Sequence, residues 1–407
     1  MAYLTADSKQ ARLSQWISRV IKGLNDYWKR SDKLLWLIML VISAFSLTLL
    51  YTVPSNAMGR SYFQIQLIAI VTGYLGAILL TLVDYRTIAR FWPWLAVCGG
   101  ALILYTLFFG ESVTGSDGVN ARAWLMLPGG ITFQSAELVK IFFLLTYGKH
   151  LSLVKESGAI YKLPHVCLLG LHGAVPILLV HLQGDDGAAI IFFFMFLFMS
   201  FAAGVQLRYF AILFGAILAA IPIAWNFIFE DYQRNRILNM FHPEADPLGT
   251  GLQQIQGKIS IGSGQLTGQG LLSAPRVQSS AVPVQESDFI FAVAGEELGF
   301  VGCVAILGLL LLLLLRVLRT AFVSCDNLGC YICFGFFGMI AAQTVFNIGM
   351  CLSLLPVMGV TLPFFSAGGS SAACLYLGFG LVQNISMHRS EKDRVDPESI
   401  RRYQRNR

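Results

Sequence analysis

The sequence predicts an all-α polytopic membrane protein: ten transmembrane helices, both termini cytoplasmic, and a large extracellular loop between helices 7 and 8. Three observations carry that reading. The 407 residues are 56% hydrophobic and only 13% charged, with a mean hydropathy of +0.65, whereas a soluble domain carries about 25% charged residues. The apolar residues gather in ten runs, each near the ~20 residues that cross ~30 Å of hydrocarbon. Of the 29 Lys and Arg side chains, 22 fall on one side of the resulting topology and 6 on the other, which places the richer side in the cytoplasm. A transmembrane barrel would show short alternating strands instead.

Residues 1–34 are too charged for a signal peptide. Leu13, Trp16, Ile17, Val20, Ile21, Leu24 and Trp28 recur there at helical spacing among Arg12, Arg19, Lys22, Lys29 and Arg30. That pattern predicts a basic amphipathic segment lying on an anionic membrane surface. The membrane domain, 35–388, follows, with apolar runs at 35–53, 62–82, 91–109, 134–150, 164–182, 187–206, 209–229, 288–315, 330–353 and 363–387. Residues 389–407 form a basic cytoplasmic tail.

The segment 230–287 is long, polar and rich in Gly, Ser and Gln. A connector of that length is uncommon without a function, so it is the first place to look for one. It holds a glycine-rich turn region, Gly262-Ser263-Gly264 through Gly270, and ends at Asp288, where polar chain meets the next apolar run. The bland reading of Asp288 is an N-cap for the eighth span.

Other unusual polar groups gather on the same face. The loop after the third span holds Arg122 and Trp124, and an outer-loop Trp is commonly an interface aromatic. The fourth span opens with Gln134-Ser135-Ala136-Glu137-Leu138-Val139-Lys140, which places Glu137 and Lys140 on one helix face. Charges entering hydrocarbon are functional candidates, with a structural ion pair as the alternative. Asp185 and Asp186 follow the fifth span, and solvation is the expected state of Asp186. Leu355-Pro356 through Gly368-Gly369-Ser370-Ser371 reads as broken helix, which membranes tolerate only inside protein or along a cavity.

The eight cysteines lie in or beside apolar runs, and Cys325, Cys330 and Cys333 lack the partners of a zinc site. They read as small core residues. No nucleotide-binding loop or serine-hydrolase motif is present. Unaided chemistry therefore gives an outward cavity lined by Glu137, Lys140, Asp185 and Asp288, open to lipid-linked chemistry or to transport.

The order of the motifs says more. Arg122-x-Trp124, Gln134-Ser135-x-Glu137-x-x-Lys140, Gln183-x-Asp185-x-Gly187, Gly262-Ser263-Gly264, Asp288-Phe289-Ile290-Phe291 with Glu296-Glu297-Leu298-Gly299, and Leu355-Pro356 through Ser371 occur in one sequence. Together they resemble the SEDS family of shape, elongation, division and sporulation proteins, which includes RodA, FtsW and SpoVE. The similarity covers about 35–388 and leans slightly to RodA through His242-Pro243-Glu244 and its sequel. Three strings depart from the family pattern. Glu286-Ser287 replace a common His-Thr, Gly184 and Asp186 replace Pro and Leu, and Ala367 replaces Tyr.

The resemblance implies an inverting peptidoglycan glycosyltransferase of the bacterial plasma membrane. It would polymerise lipid II for elongation, division or sporulation, beside a class B penicillin-binding protein. Asp288 maps onto the family's essential acid. Lys140, Glu137, Trp124, Arg122, Gln134, Ser135, Asp185, Gly262, Ser263, Gly264, Ser370 and Ser371 map onto the substrate-binding strings. A base is needed for the acceptor hydroxyl and positive charge for the leaving lipid pyrophosphate. Asp288 supplies the first, Lys140 and Arg122 the second, with or without a divalent cation. A lipid II flippase and a non-catalytic scaffold for the penicillin-binding protein are the rival expectations.

Overall fold

The computed structural model describes residue 22 and residues 25–388, apart from 56–58, 60, 115–119, 128–130 and 247–248. Most of the amphipathic segment, the tail and Arg60 lie outside the described residues. In chain order the helices are α1 (Lys33–Thr52), α2 (Tyr62–Leu82), a short α3 (Tyr85–Ala89), α4 (Trp92–Phe109) and α5 (Ser135–Glu156). Next come α6 (Leu163–Leu182), α7 (Asp186–Ala203), α8 (Leu207–Ile223), α9 (Asp231–Phe241), α10 (Thr250–Ser263) and α11 (Pro275–Gln278). The last three are α12 (Ile290–Phe322), α13 (Asn327–Cys351) and α14 (Gly369–Met387).

Eight helices among the described residues are long and apolar enough to cross a membrane: α1, α2, α4, α6, α7, α8 with its continuation to Phe227, α12 and α13. The fold is thus that of a helical polytopic membrane protein. Helices α5 and α14 have the length but are more polar, and they are largely buried by their neighbours. Burial explains the composition, because a helix shielded from lipid has no need of an apolar surface. The ten-span reading rests on counting these two with the eight.

The helical membrane fold carries one small addition that the sequence reading does not include. A three-stranded antiparallel sheet, β1 (Glu111–Thr114), β2 (Asn120–Leu127) and β3 (Ile131–Gln134), sits between α4 and α5 in the order β1-β2-β3. Its pairs Trp124–Gln134 and Leu125–Phe133 fix the register. The sheet therefore delivers Trp124 and Gln134 to the mouth of α5, a placement that helical periodicity does not foresee.

The segment 230–287 is also not a loop in the ordinary sense. Glu230 and Gln233 close a capping box that starts α9. Helices α10 and α11 then lie against the membrane helices. Two of its glutamines are buried and bonded to backbone: Gln254 Nε2 donates to Leu355 O at 3.1 Å and Gln285 Nε2 to Val277 O at 2.9 Å. Polar composition here pays for backbone satisfaction inside protein rather than for exposure to water.

Helix α12 is broken at Gly299, whose φ of 66° and ψ of −160° are non-helical. The break leaves carbonyls on one side and N–H groups on the other without helical partners. Residues 265–270 satisfy both sets. Phe300 N donates to Gln265 O at 2.8 Å and Val301 N to Leu266 O at 3.1 Å, while Gln269 N and Gly270 N donate to Glu296 O and Glu297 O at 2.9 and 3.0 Å. The half-helix 290–298 is thereby stitched to the α10–α11 connection.

Two further differences concern the ends of helices. The tenth run begins its helix at Gly369 rather than 363, and 352–368 is non-helical, as the broken-helix expectation requires. At the end predicted to be cytoplasmic, Arg316 of α12 makes two hydrogen bonds, 2.7 and 2.8 Å, to Asp32, which also caps α1 through Leu35 N. This pair pins α1 to α12.

Candidate functional site

Glu137 and Lys140 stand one turn apart at the start of α5, and their ion pair measures 2.8 Å. Both side chains are almost fully buried, so each charge depends on the other. Before them, Gln134 N donates to Ser370 Oγ at 3.3 Å, and Gln134 Nε2 donates to the Asp185 carboxylate. Asp185 is the N-cap of α7, accepting from Ala188 N at 2.9 Å. Burial pushes the Asp185 carboxyl up, opposed by its bonds to Ala188 and Gln134 and by the Lys140 charge.

Gln134, Glu137, Lys140, Asp185, Gln343 and Gly359 line one cavity of about 20 Å³. That is the scale of a single water molecule. The sequence thus marks four of its polar members, and the fold brings them together from β3, α5 and α7. Gly359 belongs to the irregular segment before α14, at φ 66°. A Cβ there would lie 3.8 Å from Asp288 Oδ2, so Gly359 is the wall between this cavity and Asp288.

Asp288 is not a helix cap. The N-cap of α12 is Phe289, and no side chain caps that end. The Asp288 carboxylate instead accepts from Ser287 Oγ at 3.1 Å and is only partly buried. Its backbone is fixed from three directions. Asn347 Nδ2 donates to Asp288 O at 2.8 Å and also to Val360 O at 2.8 Å. Ser366 Oγ donates to Ser287 O at 2.5 Å, and Ala367 N donates to Glu286 O at 2.8 Å. Asp288 N itself donates to Val284 O, closing the turn. Burial pushes the Asp288 carboxyl up to about 6; the Ser287 hydrogen bond opposes this and the Glu286 charge adds to it.

The other predicted residues fall at different distances from this centre. Ser135 and Ser371 are buried, and Ser370 meets Gln134. Trp124 is half-buried on β2, while the Arg122 side chain is exposed and its N–H donates to Gln183 O at 2.9 Å. Asp186 is not simply solvated, since it bonds His181 Nδ1 at 2.6 Å and Gln233 Nε2 at 3.1 Å. Gly262, Ser263 and Gly264 end α10 and do not line the cavity. A Cβ at Gly264 would collide with Gly295 O, so that string packs α10 onto the half-helix behind Asp288. Gly359 and Ser366 fall within the 355–371 string that the sequence marks only as broken helix, whereas Gln343 and Asn347 lie outside the motif strings and are identified by their placement in the fold. Among the described residues, no group of three or more His, Cys, Asp or Glu side chains is arranged to hold a metal ion.

A family model described as a cell cycle protein, that of FtsW, RodA and SpoVE, matches residues 31–391. The peptidoglycan glycosyltransferase MrdB of Escherichia coli K12 is 33% identical over 364 residues, covering 88% of this chain and 94% of the relative. Stage V sporulation protein E of Bacillus subtilis is 30% identical over 363 residues, covering 88% and 97%. Among solved structures, a peptidoglycan synthase complex that coordinates polymerization and crosslinking aligns with a TM-score of 0.74 at 29% identity, covering 89% of this chain and 99% of the other. The rod shape determining protein RodA of Thermus thermophilus aligns with a TM-score of 0.66 at 27% identity, covering 89% and 98%.

Proposed function

The chain belongs to the FtsW, RodA and SpoVE family of cell cycle proteins, and we propose that Asp288 is the base through which it polymerises lipid II at the outer membrane face. It is a multi-pass bacterial membrane protein and a peptidoglycan glycosyltransferase, the activity for which its curated relatives are named. The observation that carries the assignment of Asp288 is its carboxylate, partly exposed and free of any capping duty, on a turn braced by Asn347, Ser366 and Ala367.

In the proposed step the acceptor sugar hydroxyl attacks the anomeric carbon of the lipid-linked donor. Asp288 takes the hydroxyl proton as the new C–O bond forms, and the bond to the lipid pyrophosphate breaks with its electron pair leaving on phosphate. A carboxyl near 6 is ionised at neutral pH and is a stronger base than an ordinary aspartate near 3.9. Arg122, exposed on β2, is the residue we assign to the departing pyrophosphate. Lys140 is buried and already paired, and its cavity admits a water but no sugar. Its contribution is therefore a fixed positive field behind the site rather than direct contact.

The proposed topology places 230–287 outside and both termini in the cytoplasm. The proposed organisation is an amphipathic segment 1–34, a membrane domain 35–388 and a tail 389–407. A class B penicillin-binding protein is the proposed partner, supported by the synthase complex among the structural relatives. Purified protein incubated with lipid II, alone and with that partner, tests the activity. Glycan polymer is expected, and translocation of lipid II without polymer would favour the flippase.

A further inference from the structure

Gly359 is exposed on the irregular segment before α14, at φ 66°. Glycine takes that conformation without cost, but Asn also visits it, so the turn alone does not demand a missing side chain. The surroundings say more. At Gly268 and Gly299, also left-handed, an added Cβ would strike backbone atoms. At Gly359 it would enter open space whose one neighbour within 4 Å is Asp288 Oδ2, at 3.8 Å. The hydrogen bond from Ser287 falls on the other oxygen, Oδ1. Oδ2 is therefore the oxygen that faces the bare side of Gly359.

That side is also fixed in place. On one flank, Met358 O lies so close to Gly187 of α7 that no Cβ fits between them. On the other, Val360 O accepts from Asn347 Nδ2 at 2.8 Å. With its backbone held on both flanks, Gly359 cannot withdraw to make room for a side chain, which would stand in front of Asp288 instead.

We propose that the bare side of Gly359 is the seat of the acceptor sugar, kept free of a side chain so that a pyranose ring lies on backbone and brings its hydroxyl to Asp288 Oδ2. The inference rests on the reading of Asp288 as the base. The proton that Oδ2 takes belongs to the acceptor hydroxyl, so the ring filling this space is the acceptor's rather than the donor's. Glycine permits such close approach of backbone to a ligand. Gly359 is thus a specificity-determining residue, which sets the room open to the ring beside the base.

The test separates turn from seat, because the two roles rank Ala and Asn in opposite orders. Asn tolerates the left-handed region better than Ala. A turn role therefore predicts that Gly359→Asn both melts higher and polymerises better than Gly359→Ala. Asn is also the larger side chain, so a seat predicts the same order of melting but the reverse order of activity. Lipid II polymerisation by the full-length protein at subsaturating substrate should fall about tenfold in Gly359→Ala and at least about a hundredfold in Gly359→Asn. The matched control is Gly158, left-handed at φ 67° between α5 and α6, where an added Cβ meets nothing within 4 Å. Gly158→Ala and Gly158→Asn should melt in the same order and polymerise at the wild-type rate. No loss, equal losses, or a milder loss for Gly359→Asn assigns Gly359 to the turn alone. That result, with Asp288→Asn inactive, overturns this inference and leaves the base in place. An active Asp288→Asn overturns the base itself and this inference with it.

Discussion

The side-chain amide of Asn347 donates at 2.8 Å to the backbone carbonyl of Asp288, and its second N–H reaches Val360 O at the same distance. One residue of α13 thus ties the turn that carries Asp288, the proposed base, to the irregular segment that walls the cavity. Asn347→Ala would leave both carbonyls without this donor, at ~1–3 kcal/mol each. The expected outcome is a lower melting temperature in detergent and a fall in kcat larger than any rise in KM. Thermal unfolding and initial rates against lipid II concentration check it.

The buried pair Glu137–Lys140 makes a sharper prediction, because removing one member strands the other. Lys140→Ala should destabilise the protein by ~3–5 kcal/mol and abolish polymerisation. The double variant Glu137→Leu with Lys140→Met removes both charges and should recover most of the stability. If the positive field matters, it should remain inactive. Melting temperature and polymer yield for the two variants separate folding from catalysis.

At Gly299 the backbone adopts φ 66° and ψ −160°, a region essentially closed to residues with a Cβ. A Cβ there would also lie 2.7 Å from Leu266 C. Gly299→Ala should therefore loosen the 265–270 stitching and cost ~1–3 kcal/mol or more. Faster hydrogen exchange at the amides of Gln269, Gly270, Phe300 and Val301 is the expected signature.

The helices that meet lipid were legible in the sequence because hydrophobic length is a direct consequence of bilayer thickness. The candidate acids were legible because charge at a membrane boundary is costly. Their convergence was not. Trp124 and Gln134 meet through strand pairing in a sheet that helical periodicity hides. Asn347 and Ser366 act through backbone carbonyls, which leave no mark on residue spacing. The 230–287 segment reads as loop because its glutamines look solvent-bound, whereas Gln254 and Gln285 spend their amides inside the protein. Asp288 reads as a cap from its position alone, and only the helix start at Ile290 removes that role.

Stability should carry the imprint of Asp288. Its folded carboxyl takes a proton near 6, the unfolded one near 3.9. Folding therefore binds a proton between about pH 4 and 6, and stability falls as pH rises through that window. Asp288→Asn never ionises, so it should melt above wild type at pH 7.5, with the difference closing toward pH 4. Melting curves of the two proteins across that range check the sign.

The most direct measurement is lipid II polymerisation by wild type, Asp288→Asn and Asp288→Ala, each purified, folded and combined with the proposed class B penicillin-binding protein partner. Polymer from wild type and none from either variant is the predicted result. Polymer from Asp288→Asn at the wild-type rate would contradict the assignment of Asp288 as the base.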